Sequence, residues 1–257
     1  MLRRLLCGLL VLLLSGCSAP GQTSTSAAGL TVEEYRLTAN PAEALPMSPD
    51  FAAQMKPLLK KRQYWREPTQ AMREQYAALQ PGIPRKSRPD LGDTLLRQPH
   101  AIGSDVVHVR YDPETLDIQV VRNDAVVYTY THPRARYVTT PDYLVQGFFI
   151  WDGRWALETV EGHLIVDGTD LNQTLGYDEI FGFHFLQGRP FYFFRQNGQV
   201  RIAYDGQVLP VHYERVPHYG CCDAAGFNPQ PNGWMVRFFA VRDGQWWYVE
   251  VGKYDAE

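Results

Sequence analysis

From about residue 104 onward, apolar and polar residues alternate along the chain in the manner of β-strands. Leu116, Ile118 and Val120 alternate with Asp117 and Gln119, a period of two that places apolar side chains on one face. Turn dipeptides separate the apolar runs: Asp152-Gly153, Glu161-Gly162, Asp167-Gly168, Gln187-Gly188, Asn197-Gly198, Asp205-Gly206 and Asp243-Gly244. Asn-Gly and Asp-Gly tolerate the positive φ values that two-residue hairpin turns need. The pattern predicts a mainly β protein, an antiparallel meander of hairpin repeats.

A weak internal repeat runs through the same part of the chain. Gly162 and Gly198 are 36 positions apart, and so are the segments 177–180 and 213–216. Some predicted strands, such as 191–194, are apolar on both faces and need cover on both sides. Stacked sheets of a propeller provide such cover, because each sheet lies between two neighbours. We therefore predict a propeller-like array, with a β-sandwich or barrel capped by helices as the alternative.

The pattern between residues 31 and 100 is helical and irregular. Apolar residues recur at helical spacing in two stripes, which consist of Phe51, Met55, Leu58 and Leu59, and of Met72, Tyr76 and Leu79. Pro57 interrupts the first stripe, and the basic run 60–62 is typical of a solvated face. The sequence thus predicts a short N-terminal helical segment at 31–100, followed by a β-repeat domain at 101–257.

The first 17 residues, MLRRLLCGLLVLLLSGC, have the layout of an export signal. Arg3 and Arg4 precede the apolar run 5–14, which is too short for a comfortable bilayer span of about 20 residues. Leu14-Ser15-Gly16-Cys17 resembles the lipobox of bacterial lipoproteins. The resemblance implies removal of residues 1–16 and a diacylglycerol on Cys17.

This resemblance also implies a cellular address. An acylated Cys17 would anchor an exported protein to the cell envelope, since two or more acyl chains anchor stably. Ser18 stands where an aspartate would be the usual inner-membrane retention signal. We expect the outer membrane in a two-membrane cell, and the outer face of the plasma membrane otherwise. Residues 17–30, small and polar, are predicted to form a flexible tether.

A long break in the β pattern, PHYGCCDAAGFNPQPNG at residues 217–233, interrupts the third repeat where the second continues. Such loops are uncommon in compact domains and are usually functional or disordered. Three interpretations stay open. Cys221 and Cys222 join in a vicinal disulfide, as export favours; or they bind a Zn²⁺ or Cu⁺ ion with His212 and His218; or one cysteine is a thiol activated by His218.

Composition and charge narrow the range of functions. The formal net charge of −3 becomes more negative when Arg3 and Arg4 leave with the signal. The mature chain therefore lacks the basic character of nucleic-acid binders. No nucleophile elbow, zinc-protease helix, P-loop or dinucleotide fingerprint is present in the sequence.

The leading functional prediction is a non-catalytic binding module on a lipid tether, with a protein, peptide or glycan as partner and no resident cofactor. Its binding loop is predicted to use Tyr219, Asp223, Asn228 and Trp234. One alternative is an exported hydrolase of envelope or extracellular polymers, for which the carboxylates and histidine near turns are candidates: Glu158, His163, Asp167, Asp170 and Glu179. The other alternative is a metal-handling or thiol-redox lipoprotein that uses the His218 loop.

Overall fold

The computed structural model describes residues 22–37, 82–83, 98–112, 114–115, 117–132, 144–219, 228–231 and 233–252. These residues form a mainly β protein. Its strands, in chain order, are β1 (Gln22–Ala27), β2 (Leu30–Arg36), β3 (Gly82–Ile83), β4 (His100–Ile102), β5 (Asp105–Tyr111), β6 (Ile118–Arg122), β7 (Ala125–Tyr130), β8 (Val145–Trp151), β9 (Arg154–Thr159), β10 (Leu164–Val166), β11 (Thr169–Asp170), β12 (Glu179–Leu186), β13 (Arg189–Gln196), β14 (Gln199–Tyr204), β15 (Gln207–Tyr213), β16 (Gln230–Pro231), β17 (Met235–Arg242) and β18 (Gln245–Gly252).

The strands form four antiparallel sheets. Sheet I has the spatial order β1-β2-β18-β17-β16, and sheet II the order β4-β5-β6-β7. Sheet III has the order β11-β10-β9-β8-β3, and sheet IV the order β12-β13-β14-β15. The predicted meander of hairpins is confirmed, because within sheets II and IV every strand pairs with its neighbour along the chain.

The turn chemistry explains the hairpins. Every predicted turn dipeptide lies between two consecutive paired strands. At Asn197-Gly198 both residues have positive φ, 52° and 75°, as a type I′ turn requires. Gly162 and Gly198 occupy the same position, the second turn of sheets III and IV. The spacing near 36 residues therefore reflects one sheet following another.

Buried apolar side chains join the sheets in the order II–III–IV–I. Sheets II and III share a cluster that includes Val109 and Leu157. Sheets III and IV share a second cluster, with Phe149 and Phe183 at a ring-centroid distance of 4.8 Å. Sheets IV and I share the third cluster, in which the largest buried side chains are aromatic: Phe181, Phe191, Phe193, Tyr213 and Phe238. Stacking explains why these strands are apolar on both faces.

Sheet I differs from the predicted division of the chain. Residues 22–30, predicted as part of the tether, and residues 31–36, predicted as helical, form the β1–β2 hairpin. β2 pairs with β18, so both ends of the described chain share one sheet. The sequence of β1 does not predict a strand, because its residues, QTSTSA, are small and polar. They form an edge strand, which needs backbone hydrogen bonds rather than an apolar face. Both predicted helical stripes lie outside the described residues.

A short helix, α1 (Leu171–Leu175), follows β11. Asp170 caps its N-terminus, because the side chain accepts hydrogen bonds from the N–H groups of Asn172 and Gln173. Gly176 ends it in the left-handed conformation. In the part of the chain that the structure describes, no helix has the length and apolar character needed to span a membrane.

Candidate functional site

The predicted break at 217–233 interrupts the pairing of the chain with β17 in sheet I. In sheet IV the first strand, β12, continues past a register shift between Phe181 and His184. In sheet I, Arg215 forms a bridge with Val241, and pairing with β17 resumes only at Gln230. The intervening segment is thus an insertion at the position where β12 carries its bulge. The spacing of the repeats in the sequence predicts an interruption at this place.

Asn228 closes the gap that the insertion leaves in sheet I. Its Nδ2 donates to the carbonyl of Phe239 at 2.6 Å, and its Oδ1 accepts from the N–H of Phe239 at 2.8 Å. Phe239 lies midway between the residues that pair with Arg215 and Gln230. The carboxamide of Asn228, which is buried, therefore takes the place of a missing backbone partner.

We predict that Asn228→Ala lowers the free energy of unfolding by about 2–3 kcal/mol, because it leaves the buried N–H and C=O of Phe239 unpaired. Urea unfolding followed by circular dichroism measures the change. Gln230→Ala is the matched control, since Gln230 is exposed on the adjoining strand and such surface changes stay within about 0.5 kcal/mol. Equal stability of the two variants would contradict the structural role of Asn228.

Glu158 of β9 fixes the other side of the insertion. Its carboxylate accepts hydrogen bonds from the N–H groups of Gly182 and Phe183, at 2.8 and 3.1 Å, and from the hydroxyl of Tyr219. Gly182 has a φ of +67°, and a Cβ there would lie 3.0 Å from Pro229. A buried carboxylate of sheet III thus satisfies the bulge of sheet IV and holds the start of the insertion.

His218 contacts the same strand through a hydrogen bond to a carboxylate. Its Nδ1 lies 2.8 Å from the carbonyl of Val216, and its Nε2 lies 3.0 Å from Oε1 of Glu179. The ring stacks on Phe181 at a centroid distance of 3.5 Å. Arg195 donates to the second oxygen of Glu179 at 3.1 Å, which leaves this carboxylate between an imidazole and a guanidinium.

These contacts lower the pKa of Glu179. Partial burial acts in the opposite direction and raises it, but the hydrogen bonds and charges of His218 and Arg195 outweigh burial, and the net shift is downward. A carboxyl with a lowered pKa in the folded state contributes stability that is fully present above its ordinary value of 4.5. That contribution is lost as the pH falls through the lower, folded value.

We therefore predict that Glu179→Gln flattens the pH dependence of stability on the acid side. The unmodified protein should lose stability as the pH falls below 4.5, and the variant should lose less over the same interval. Urea midpoints between neutral pH and pH 3 measure the difference. Asp152→Asn, in an exposed hairpin turn, is the control and should follow the unmodified protein. Parallel curves for all three proteins would refute the assigned role of Glu179.

The other predicted site residues have separate surroundings. His212 is exposed on β15, opposite Arg201. Trp234 is partly buried and precedes β17. Tyr219 and Asn228, predicted as ligand contacts, use their polar groups within the protein. Cys17, Cys221, Cys222 and Asp223 lie outside the described residues, so their lipidation, disulfide, metal and binding predictions stay predictions.

The carboxylates considered for hydrolysis have structural contacts here. Asp167 accepts from Arg154 and from the backbone of Trp155, both at 2.9 Å or less. Asp170 caps α1 and also lies 3.0 Å from Nδ1 of His163. With Glu158 and Glu179 holding the insertion, each of these four acids fixes a turn, a cap or a strand. The sequence identified these acids only as residues near turns; the partners of Glu158 and Glu179 are 16 to 61 residues away along the chain.

His184 lies on the edge strand β12, and its ring contacts a backbone carbonyl rather than a carboxylate. Nδ1 lies 2.7 Å from the carbonyl of Gly182 and must donate to it. Burial lowers the pKa of His184 to about 4, although this hydrogen bond opposes the shift. The ring is therefore neutral at neutral pH, and its buried Nε2 has no hydrogen-bond partner among the described residues. Within the described ranges, no group of three or more potential ligand residues could hold a metal ion.

No protein-family model matches the sequence, and no curated protein matches it significantly.

Proposed function

We propose that this chain is an exported lipoprotein, anchored to the cell envelope through Cys17, that displays a non-catalytic binding module. The anchor proposal rests on the positive, apolar and small-residue regions that precede Cys17. Its test is the intact mass of the protein purified from its native host. A mass that includes diacylglycerol on a chain beginning at Cys17 is expected, and an unacylated start or a retained leader would contradict the proposal.

The module, in this proposal, is a propeller-like array. Three contacts between neighbouring sheets, which we call seams, support this proposal. Sheets II and III, III and IV, and IV and I each share an apolar cluster. The sheet shared by β2 and β18 supports it as well, since pairing of the two chain ends is a way for a propeller to join its first and last repeats. Such a scaffold is rigid enough to position loops for recognition.

The observation that carries the binding function is the insertion, which is anchored at both ends by buried polar contacts. His218 and Tyr219 tie its beginning to sheets III and IV, and Asn228 ties its end to sheet I. Hydrogen bonds to buried charged groups are among the stronger ones in proteins. A loop held in this way loses little conformational entropy when it binds, which favours affinity. We propose that the segment between these anchors contacts the partner.

A loop replacement tests the binding role. Residues 220–227 are exchanged for a Gly/Ser segment of equal length, which leaves the three anchors in place. Sedimentation with purified peptidoglycan and with surface polysaccharide of the host measures binding. We expect the replacement to abolish pelleting with one of the two polymers. The same exchange in the turn at 114–115 is the control and should preserve binding. Undiminished binding by the loop variant would refute the proposed role.

The cysteine pair is proposed to stiffen this loop as a vicinal disulfide. We predict that the mature monomer has no free thiol and no stoichiometric metal, as thiol titration and metal analysis would measure. Cys221→Ser and Cys222→Ser should each release one titratable thiol. Stoichiometric Zn²⁺ or copper that disappears in both variants would instead support the metal-handling alternative.

A further inference from the structure

Both ends of the insertion meet at one residue of β12, Gly182. At the beginning of the insertion, the hydroxyl of Tyr219 accepts a hydrogen bond from the N–H of Gly182 at 2.6 Å. Near its end, Cγ of Pro229 lies 3.0 Å from the position that a Cβ on Gly182 would occupy. The φ of Gly182 is +67°, in the left-handed region that glycine adopts at no steric cost. A shift of this residue would therefore displace both ends together.

Three side chains hold the backbone groups of Gly182. Its N–H is shared between the hydroxyl of Tyr219 and Oε1 of Glu158, which lies 2.8 Å away. Its carbonyl lies 2.7 Å from Nδ1 of His184 and only accepts, so the imidazole carries its hydrogen on Nδ1. The buried Nε2 of His184 has no partner among the described residues. The bond to Gly182 is thus the single hydrogen bond that this ring makes within the described part of the chain.

We infer that His184 is a positioning residue for the insertion, because it fixes the carbonyl of Gly182 and, through that residue, the contacts with Tyr219 and Pro229. Gly182 lies in the register shift of β12 and has no partner in the β12–β13 register. A carbonyl outside the ladder needs another donor, and His184 provides it. The consequence for a bound partner rests on the proposed binding function, whereas the positioning of the two ends does not.

Packing holds the imidazole of His184 in the orientation that this hydrogen bond needs. Its centroid lies 4.7 Å from that of Phe191, its partner in the β12–β13 register. Phe191 is fully buried in the cluster that sheets IV and I share. A ring fixed by such contacts loses little further side-chain entropy when it donates to a carbonyl. The seam between sheets IV and I therefore fixes the donor as well as the strands.

Substitutions that differ in the position of the donor test this inference. Nδ2 of asparagine is as many bonds from the backbone as Nδ1 of histidine, whereas Nε2 of glutamine is one bond further. Tyr219 is replaced by 3-fluorotyrosine in the full chain, and its fluorine NMR resonance is recorded. His184→Asn should keep the resonance in place, and His184→Gln and His184→Leu should shift it. His212→Asn, at an exposed position of β15, is the control and should leave it unchanged. An unmoved resonance in His184→Gln, or in His184→Leu where that variant folds, would overturn the positioning role, as would an equal shift in His184→Asn.

Sedimentation with peptidoglycan and with surface polysaccharide separates this inference from the proposed function. His184→Asn should pellet like the unmodified protein, and His184→Gln should pellet as little as the replacement of residues 220–227. If the unmodified protein pelleted with neither polymer, the binding proposal would fail, while the fluorine resonances would still decide whether His184 positions the insertion. Full binding by a variant whose resonance has shifted would overturn the link between this positioning and recognition of the partner.

Discussion

Replacing Glu158 with alanine is expected to lower the free energy of unfolding by about 3–5 kcal/mol, among the largest effects of any single change outside the apolar core. The carboxylate accepts from Gly182, Phe183 and Tyr219 in a buried position. Its removal takes a buried acceptor from each of three donors, of which the N–H of Gly182 keeps a second acceptor in the hydroxyl of Tyr219, 2.6 Å away. Each buried donor left unpaired costs about 1–3 kcal/mol. Urea unfolding, with the slope held constant between variants, gives the value.

Tyr219→Phe is the matched variant for this prediction. It removes one hydroxyl and leaves the carboxylate of Glu158 with both backbone donors of the β12 bulge. The expected loss is about 1 kcal/mol, the contribution of one hydrogen bond. Binding by the insertion should weaken in both variants, since both release its first anchor. If Glu158→Ala were no more destabilising than Tyr219→Phe, the carboxylate would not be holding the bulge.

A loss of about 3–5 kcal/mol is also expected for Glu34→Ala, at the seam of sheets I and IV. Oε1 of Glu34 accepts from Tyr213 at 2.8 Å and from Arg242 at 2.7 Å, and Glu34 is only 3% exposed. Arg242 also lies over the ring of Trp247, 4.3 Å from its centroid. Removing the carboxylate leaves a largely buried guanidinium without its anion and Tyr213 without its acceptor.

Asp105→Ala is the control for Glu34→Ala, because it also removes a carboxylate paired with an arginine. Asp105 and Arg122 are 2.6 Å apart, but both are partly exposed to solvent. Ion pairs at the surface contribute about 0–1 kcal/mol, so the control should lose little stability. Both variants are compared by urea unfolding at neutral pH. A Glu34→Ala variant as stable as Asp105→Ala would show that the seam does not depend on this carboxylate.

Burial also acts on Tyr213, the other partner of Glu34. Burial first, and the negative charge and hydrogen bond of Glu34 next, raise the pKa of Tyr213 well above its ordinary value, although Arg242 opposes the shift. The phenol therefore stays neutral and acts as a hydrogen-bond donor. This protonation state is consistent with a carboxylate of sheet I as its acceptor at the seam.

Local chemistry made the hairpins predictable from the sequence. A residue pair such as Asn197-Gly198 determines a turn through its own backbone preferences, and alternating apolar residues determine the strands beside it. The repeat spacing then placed the insertion correctly, because one sheet follows another at similar length. The same local logic failed for β1, whose polar residues are compatible with both a tether and an edge strand. Only its pairing with β2 decides between them.

The buried carboxylate contacts, at the insertion and between sheets I and IV, could not be predicted from the sequence in the same way. Glu158 and Tyr219 are 61 residues apart, and Glu34 and Tyr213 are 179 apart, so no local pattern connects either pair. An acidic residue near a turn is common without any special role. Whether it becomes a buried acceptor depends on which backbone donors the neighbouring sheet presents.

By itself, then, the sequence determined the β class, the hairpin turns, the repeat and the place where the last repeat is interrupted, since neighbouring residues encode each of these. The tertiary structure alone decided that sheets I and IV share a seam, that β2 joins β18, and that Glu158 and Asn228 hold the insertion. The physical reason is that burial and hydrogen-bond satisfaction are properties of packed sheets, which exist only once distant strands have come together.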